Sequence, residues 1–319
     1  MDQTTRQPGG AQGQHGPDPG VGDQPDRTRA MSGPRLLVIG DVAWDVLLRP
    51  AGDLVWGADV YGQVDLFPGG SAANVAVWSK RLGADVALVG QVGEDRLGDL
   101  MQAHLESEGV GGAVRTVPGG HTMRIGVVIR PDAEHAFVTD HSHPVRLSAD
   151  DLPVSLLDEV DAVFLNGYAV FMAGSAAFAG PLLEGARRRG ILVAFDPSSF
   201  SLIRRYGAKK LMDEIGPLGV LLANEEEARA LIDGDDLRDL LAWTSMAIVK
   251  RGGNGAMALH ATGAVSAAAE SIAVADTTGA GDAFDAAFLV EYLANHDVSR
   301  ALAAANRLGG HVASRLGAQ

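Results

Sequence analysis

Apolar residues recur along this chain in two rhythms. Short continuous runs, RLLVIG at Arg35–Gly40, a second at Val86–Gly90, AVFLN from Ala162, ILVAFD from Ile191 and GVLLA from Gly219, have the length of strands buried on both faces. Between them stand segments with helical spacing: Ser71–Leu82, a stretch from Gly98 to near Gly109, one ending at Arg189, and Ala208–Ile215. From Ala162 onward strand and helix alternate, the βαβ pattern of a doubly wound parallel sheet with helices on both faces. Met246–Lys250 is a further strand, and Gly252-Gly253-Asn254-Gly255 turns into another, which by itself predicts a hairpin. Residues 47–67 and Thr122–Thr139 alternate only loosely, the latter around a Pro131-Asp132 turn. Residues 1–33 are Gln, Gly, Pro and Asp with almost no apolar content, a composition that cannot bury enough surface to fold. They are expected to be a disordered tail, with Met31 the expected start of translation.

The chemistry concentrates at Asp276–Leu289, DTTGAGDAFDAAFL. Gly279 and Gly281 permit unusual backbone angles and close approach of a ligand. Asp282–Leu293 is helix-spaced, so the amides of Gly279, Ala280, Gly281 and Asp282 are predicted to open a helix N-terminus, an anion site. Asp282 itself is explained by the helix dipole in most such cases. Beside a phosphate cradle, however, a second negative charge repels the ligand unless it has work to do, such as taking a proton from an attacking hydroxyl.

Composition narrows the function further. The formal net charge of −14 excludes general electrostatic attraction to nucleic acid or anionic membrane. With no cysteine there is no disulfide, thiol catalysis or thiolate metal site. No run of about 18 apolar residues predicts a membrane span, and no signal-peptide core is visible, so the cytoplasm is the expected location. Neither GxxxxGK[ST] nor GxGxxG occurs, which removes the usual support for P-loop and dinucleotide folds. The pair His141 and His143 lacks a third partner at useful spacing and is expected to be a solvated loop.

The GAGD after DTT, with the earlier GGSAAN at Gly69–Asn74, resembles the ribokinase/PfkB family of sugar and nucleoside kinases over roughly Arg35–Gln319. The resemblance implies a ribokinase-like α/β kinase domain over residues 34–319, a mostly parallel central sheet plus a small β-sheet lid from about 47–68 and 121–140. It implies transfer of the ATP γ-phosphoryl to a carbohydrate hydroxyl, with Asp282 as base and Gly279, Ala280 and Gly281 in the anion hole. Substrate would be held by Asp45, Asp41, Gly69, Gly70 and Asn74. The nucleotide side would use Lys250, Gly252, Gly255, Thr278 and Asn306, with Asn224 and Glu227 ordering waters around Mg2+. The reading of Asn224 and Glu227 as a plain helix cap is as strong, Asn224 being a good N-cap three residues before Glu227. Asp276, the carbonyl of Thr278 and the RLGAQ segment match the family's monovalent-cation loop, which leaves potassium open. A homodimer through the lid is the implied assembly, set against a lid packed only on its own body. Ala43 and Ser71 depart from ribokinase's own residues, and the Gly167-Tyr168 and Asp196-Pro197-Ser198 strand exits resemble those of ketodeoxygluconate and fructose kinase relatives, so a hexose-type sugar or sugar acid is favoured. A nucleoside, stacked on Trp44, Trp56 or Phe67, is the alternative, and a non-catalytic sugar- or nucleotide-binding protein is a third reading.

Overall fold

The computed structural model describes Met1 and residues 33–130, 135–140 and 146–319. The expected tail with Met31, the Pro131-Asp132 turn and the pair His141 and His143 lie outside the described residues. Strand β1 (Arg35–Ile39) leads into a long antiparallel pair, β2 (Ala43–Pro50) and β3 (Gly62–Gly69). Helix α1 (Ser71–Arg81), β4 (Asp85–Gly93), α2 (Arg96–Ser107), β5 (Gly111–Val117), β6 (Met123–Ile129) and β7 (His135–Thr139) follow. The alternating half is β8 (Ala162–Asn166), α3 (Gly167–Ala173), α4 (Gly180–Arg188), β9 (Leu192–Asp196), α5 (Phe200–Tyr206), α6 (Ala208–Ile215), β10 (Leu218–Asn224), α7 (Glu225–Leu231) and β11 (Thr244–Lys250). Strands β12 (Ala256–His260) and β13 (Gly263–Ala267) and helices α8 (Ala280–Asn295) and α9 (Val298–Ala313) complete it.

Among the described residues, nine strands form one sheet in the order β13-β12-β11-β10-β9-β8-β1-β4-β5. All neighbours run parallel except β11–β12 and β12–β13. The chain winds outward from β1 in both directions, so a crevice opens at the carboxyl ends beside it, where such sheets bind ligands. Register aligns those ends: Asn166 lies opposite Asp196, and Asn224 opposite Lys250.

Alternation along each strand builds two cores. Leu36 and Val38 face one side with Phe164, Leu222, Phe284 and Phe288; Leu37 and Ile39 face the other with Leu165, Phe195, Leu221 and Val249. Helix α8 is buried from Ala283 to Val290, so it is apolar on nearly every face and tolerates little change; Phe288→Ala should cost about 3–5 kcal/mol. That rigidity fixes the helix start where the chemistry is expected.

Strands β3-β2-β6-β7 form a second, smaller sheet. Leu47, Val127 and Ile129 pack on one side, and Val64, Leu66, Phe137 and Val138 remain exposed. Several elements differ from their sequence expectation. The helix ending at Arg189 is two helices, because Gly174 adopts φ 78 and stops α3. Strand β5 and helix α5 have no clear periodicity in their sequences and form through edge pairing with β4 and packing against α7.

Candidate active site

The first turn of α8 begins at Gly279, which sits in the left-handed region at φ 74. A Cβ there would lie 2.4 Å from the Cβ of Ala318, so glycine is required twice over, by angle and by space. As the second and third residues of the helix, Gly281 and Asp282 have no acceptor within it, and their N–H groups donate to no other backbone carbonyl among the described residues. The Ala280 amide differs from expectation: it donates to Thr277 O at 3.2 Å, which tightens the turn.

Asp282 is half-buried at the mouth of this turn. The Ser71 hydroxyl donates to its Oδ1 at 2.5 Å and the Asn74 amide to its Oδ2 at 2.8 Å. Withdrawal from water lifts its pKa to about 6; the two hydrogen bonds hold it down, and Asp196 and Asp41 push it up. Asn74 thus faces the acid rather than open space, and its Oδ1 accepts from Gln319 Nε2 at 2.8 Å.

Asp45 is 4% exposed, and no hydrogen bond or ion pair engages its carboxylate among the described residues. Burial, then Asp282, Asp41 and Asp276, raise its pKa to about 7. Asp41 accepts from the amides of Ser71 at 3.0 Å and Ala72 at 3.2 Å, so it caps α1, while burial pushes its pKa up. The paired glycines make room for both acids. A Cβ on Gly69 would lie 2.3 Å from Asp45 Oδ2, and one on Gly70, at φ 91, would lie 2.8 Å from Asp41 O.

At the carboxyl ends of β9 and β11, Lys250 Nζ donates to Asp196 Oδ2 at 2.7 Å and to both oxygens of Asp285 at 2.9 and 3.1 Å. Burial alone would loosen the lysine's proton; Asp196 and Asp285 outweigh it and hold its pKa above the ordinary value. Burial opposes charge on both acids as well. Lys250 holds Asp196 low, while Asp285, fully enclosed in α8, is pushed well above the ordinary aspartate value. A Cβ on Gly281 would lie 3.6 Å from Lys250 Nζ, so this ammonium stands just behind the helix start.

Asn224 and Glu227 form the reciprocal cap: Asn224 N donates to Glu227 Oε2 at 2.8 Å, and Glu227 N to Asn224 Oδ1 at 2.9 Å. Glu227 is buried, and burial followed by Asp196 raises its pKa to about 7. Asp276 accepts from Thr278 N at 2.9 Å and Gly317 N at 3.1 Å. The buried Thr278 Oγ1 has no hydrogen-bond partner among the described residues. Gly252 and Gly255 both have positive φ, and Asn306 donates to the carbonyls of Ala267 at 3.0 Å and Ala268 at 3.3 Å.

One cavity of about 1650 Å³ is lined by Asp41, Asp45, Gly70, Asn74, Asn224, Glu227, Lys250, Gly252, Gly255, Thr278, Asn306 and 279–282. The two others assigned from sequence, Gly69 and Asp276, stand just behind its wall through Asp45 and Thr278. A single small-molecule site occupies roughly 300–1,000 Å³, so two reactants fit here. None of the three aromatics expected to stack a base lines the cavity. Trp44 donates from Nε1 to Leu97 O, Trp56 is 102% exposed, and the Phe67 ring lies under Gly317. The sequence reading missed Asp285 and the hydroxyl of Ser71 as partners. Asp285 was findable: it is a second acid one turn beyond Asp282, within the otherwise apolar run from Ala283 to Val290.

Residues 34–319 match the family model described as pfkB family carbohydrate kinase. The chain is 33% identical over 297 residues to the ATP-dependent ribose-1-phosphate kinase of Halopiger xanaduensis, covering 89% of this chain and 94% of that one. It is 30% identical over 264 residues to the bifunctional protein HldE of Pseudomonas savastanoi pv. phaseolicola, covering 80% of this chain but only 54% of HldE. Among solved structures, adenosine kinase from Sinorhizobium meliloti superposes with a TM-score of 0.79 at 23% identity, covering 90% and 96% of the two chains. A putative ribokinase II from E. coli, in complex with ATP and Mg2+, superposes at 0.76 with 20% identity, covering 89% and 94%.

Proposed function

The chain belongs to the pfkB family of carbohydrate kinases, phosphotransferases with an alcohol acceptor, and from that premise we propose how its residues divide the reaction. The γ-phosphoryl of ATP passes to a hydroxyl of a small carbohydrate. The observation that carries this is Asp282, an acid tuned to about 6, at the same helix start as the two unengaged amides of Gly281 and Asp282.

In the proposed step, the acceptor hydroxyl gives its proton to Asp282 and its oxygen forms the new bond to phosphorus. The bond from phosphorus to the bridging oxygen of ADP breaks, and that oxygen keeps the electron pair. General-base action of this kind contributes about 10²–10⁴-fold. The amides, with the Lys250 ammonium behind them, hold the charge that spreads over the transferred group. The unpartnered Asp45 carboxylate accepts from acceptor hydroxyls, and the half-buried Tyr168, kept protonated by burial and by Asp41 and Asp282, can donate to them.

The nucleotide fits what is present: an orphaned Thr278 hydroxyl, two unengaged amides and glycines at 252 and 255, where the chain lines the wall without side chains. Mg2+, when bound, neutralises phosphate charge; Glu227, steadied by Asn224, is the group that would hold its water ligands. Asp276, whose two oxygens each accept from one amide, is the side chain that would hold a monovalent cation such as potassium. The small sheet would act as a lid that excludes water, and its exposed Val64, Leu66 and Val138, which the strand register puts on one face, support a homodimer through that face.

For the acceptor, a hexose-type sugar or sugar acid remains the preferred class. Arg146, Arg205 and Lys210 also line the cavity, which favours an acceptor carrying a carboxylate or phosphate. The kinship with a ribose-1-phosphate kinase supports including phosphorylated sugars in that anionic class. An ADP-release screen over sugars, sugar acids, sugar phosphates and nucleosides tests the reading. Turnover confined to nucleosides would overturn the acceptor class, and tight binding without turnover of any acceptor would overturn the kinase reading in favour of a binding protein.

A further inference from the structure

The segment 317–319 is fastened to the active site at several points. Trp78 Nε1 donates to Ala318 O at 2.9 Å, Gly317 N donates to Asp276 at 3.1 Å, and Ala318 is fully buried against Gly279. The same segment delivers a side chain to the catalytic acid's partner. Gln319 Nε2 donates to Asn74 Oδ1 at 2.8 Å, and Gln319 Oε1 lies 2.6 Å from His104 Nε2 on α2.

An asparagine amide has one accepting end and one donating end, and turning it over exchanges them. Asn74 must present its NH2 to Asp282, since its oxygen there would face a carboxylate. A donor on its other side enforces that orientation. The Gln319 NH2 is that donor, and Gln319 is oriented in turn when His104 Nε2–H donates to its Oε1. Three hydrogen bonds therefore run in one direction, His104 to Gln319 to Asn74 to Asp282, an arrangement in which each bond polarises the next.

We propose that Gln319 is a positioning residue for phosphoryl transfer, which locks the Asn74 amide so that its nitrogen faces the Asp282 carboxylate. The proposal rests on Asp282 being the base. It differs from assigning Asn74 to substrate alone, since Asn74 here shapes the acid that the acceptor meets. Asp282 is also faced by Ser71 of α1, Asp41 at the β1–β2 junction, Asp45 of β2, Tyr168 of α3, Asp196 of β9, Glu227 of α7 and Lys250 of β11. These stay in place when Gln319 is changed, so a shift of Asp282 in the uncharged Gln319→Ala isolates the amide's contribution, whereas Gln319→Glu adds a like charge to it. His104 is itself faced by Glu108, which is paired with Arg81.

The test compares Gln319→Ala with Gln319→Glu. Alanine leaves room for water to donate to Asn74. Glutamate at pH 8 can only accept, and it draws the Asn74 NH2 away from Asp282. Two readouts are taken: the pH profile of kcat/KM, and a carboxyl 13C titration of Asp282, assigned with Asp282→Asn, that needs no turnover. Losing the Asn74 donor disfavours the ionised acid, so its midpoint and the acid limb move to higher pH. Expected at pH 6.5 is about a 3–10-fold loss of kcat/KM in Gln319→Ala and a larger loss in Gln319→Glu, with KM for ATP changed less than 2-fold. A role confined to packing the segment would lower Tm in both variants and leave the titration at its wild-type midpoint, which overturns the proposal. Equal midpoints in the two variants would overturn it as well. Absence of turnover in the wild type would instead overturn the kinase reading, and the 13C midpoints would still decide the role of Gln319.

Discussion

Replacing Asp45 with asparagine should make the ligand-free protein more stable at alkaline pH while weakening acceptor binding. The carboxyl is 4% exposed and has no partner among the described residues, so folding removes it from water with no return until a ligand arrives. Its pKa rises from 3.8 to about 7. At about 1.4 kcal/mol per pH unit, holding the charge costs about 4 kcal/mol above pH 7. The sign follows from proton counting. Between pH 4 and 7 the folded state holds a proton the unfolded state lacks, so stability falls as pH rises through that window and the full cost applies above it. At pH 5 only about 1.6 kcal/mol of the cost has developed. Asparagine removes the charge, so the gain over wild type should grow from about 1–2 kcal/mol at pH 5 to about 3–4 kcal/mol at pH 8. In a protein of this size that corresponds to Tm increments of about 2–4 °C and 6–10 °C. Differential scanning calorimetry without ligands at both pH values measures it. A gain equal at pH 5 and pH 8, or a loss at pH 8, would show that Asp45 is already satisfied by the protein, and the reasoning that it awaits hydroxyl groups would fail.

Lys250→Met should destabilise by about 3–5 kcal/mol, since Asp196 is left charged and buried without its cation; denaturant unfolding measures this, and Lys250→Met with Asp196→Asn should recover much of it. Asn306→Ala should raise KM for ATP several-fold with little change in KM for the acceptor, because Asn306 donates to the carbonyls of Ala267 and Ala268 at the proposed nucleotide wall; steady-state kinetics with each substrate varied decides, and the opposite pattern refutes the placement. If Asp282 is the base proposed above, wild-type kcat/KM should fall as pH drops through about 6, where Asp282 gains a proton, and a profile flat to pH 5 would contradict this.

Much of this was legible because a few residues carry local rules. GAGD demands a glycine-bent helix start whatever surrounds it, and the strand runs around Leu37, Phe164 and Leu221 are too apolar for any place but a two-faced core. What was hidden depends on residues far apart in sequence. Ser71 looked like a departure from ribokinase, yet 211 positions separate it from the Asp282 carboxylate it bonds. Nothing local marks Gln319 as a partner of Asn74. The aromatic wall failed for a related reason: Trp44 belongs to β2 and its indole turns to Leu97, a direction that spacing along the strand does not specify. Asp41, expected beside Asp45 as a substrate ligand, lines the cavity but also accepts from the amides that open α1, a contact that spacing does not reveal.

The measurement that bears most directly on the central claim is turnover of Asp282→Asn beside its affinity for nucleotide. Asparagine keeps the shape and can still meet Ser71, but it cannot take a proton, so ADP binding by calorimetry should stay within about 3-fold while kcat falls about 10²–10⁴-fold. A variant that turns over within 10-fold of wild type would contradict the assignment of Asp282 as the base and, with it, the mechanism built on that helix start.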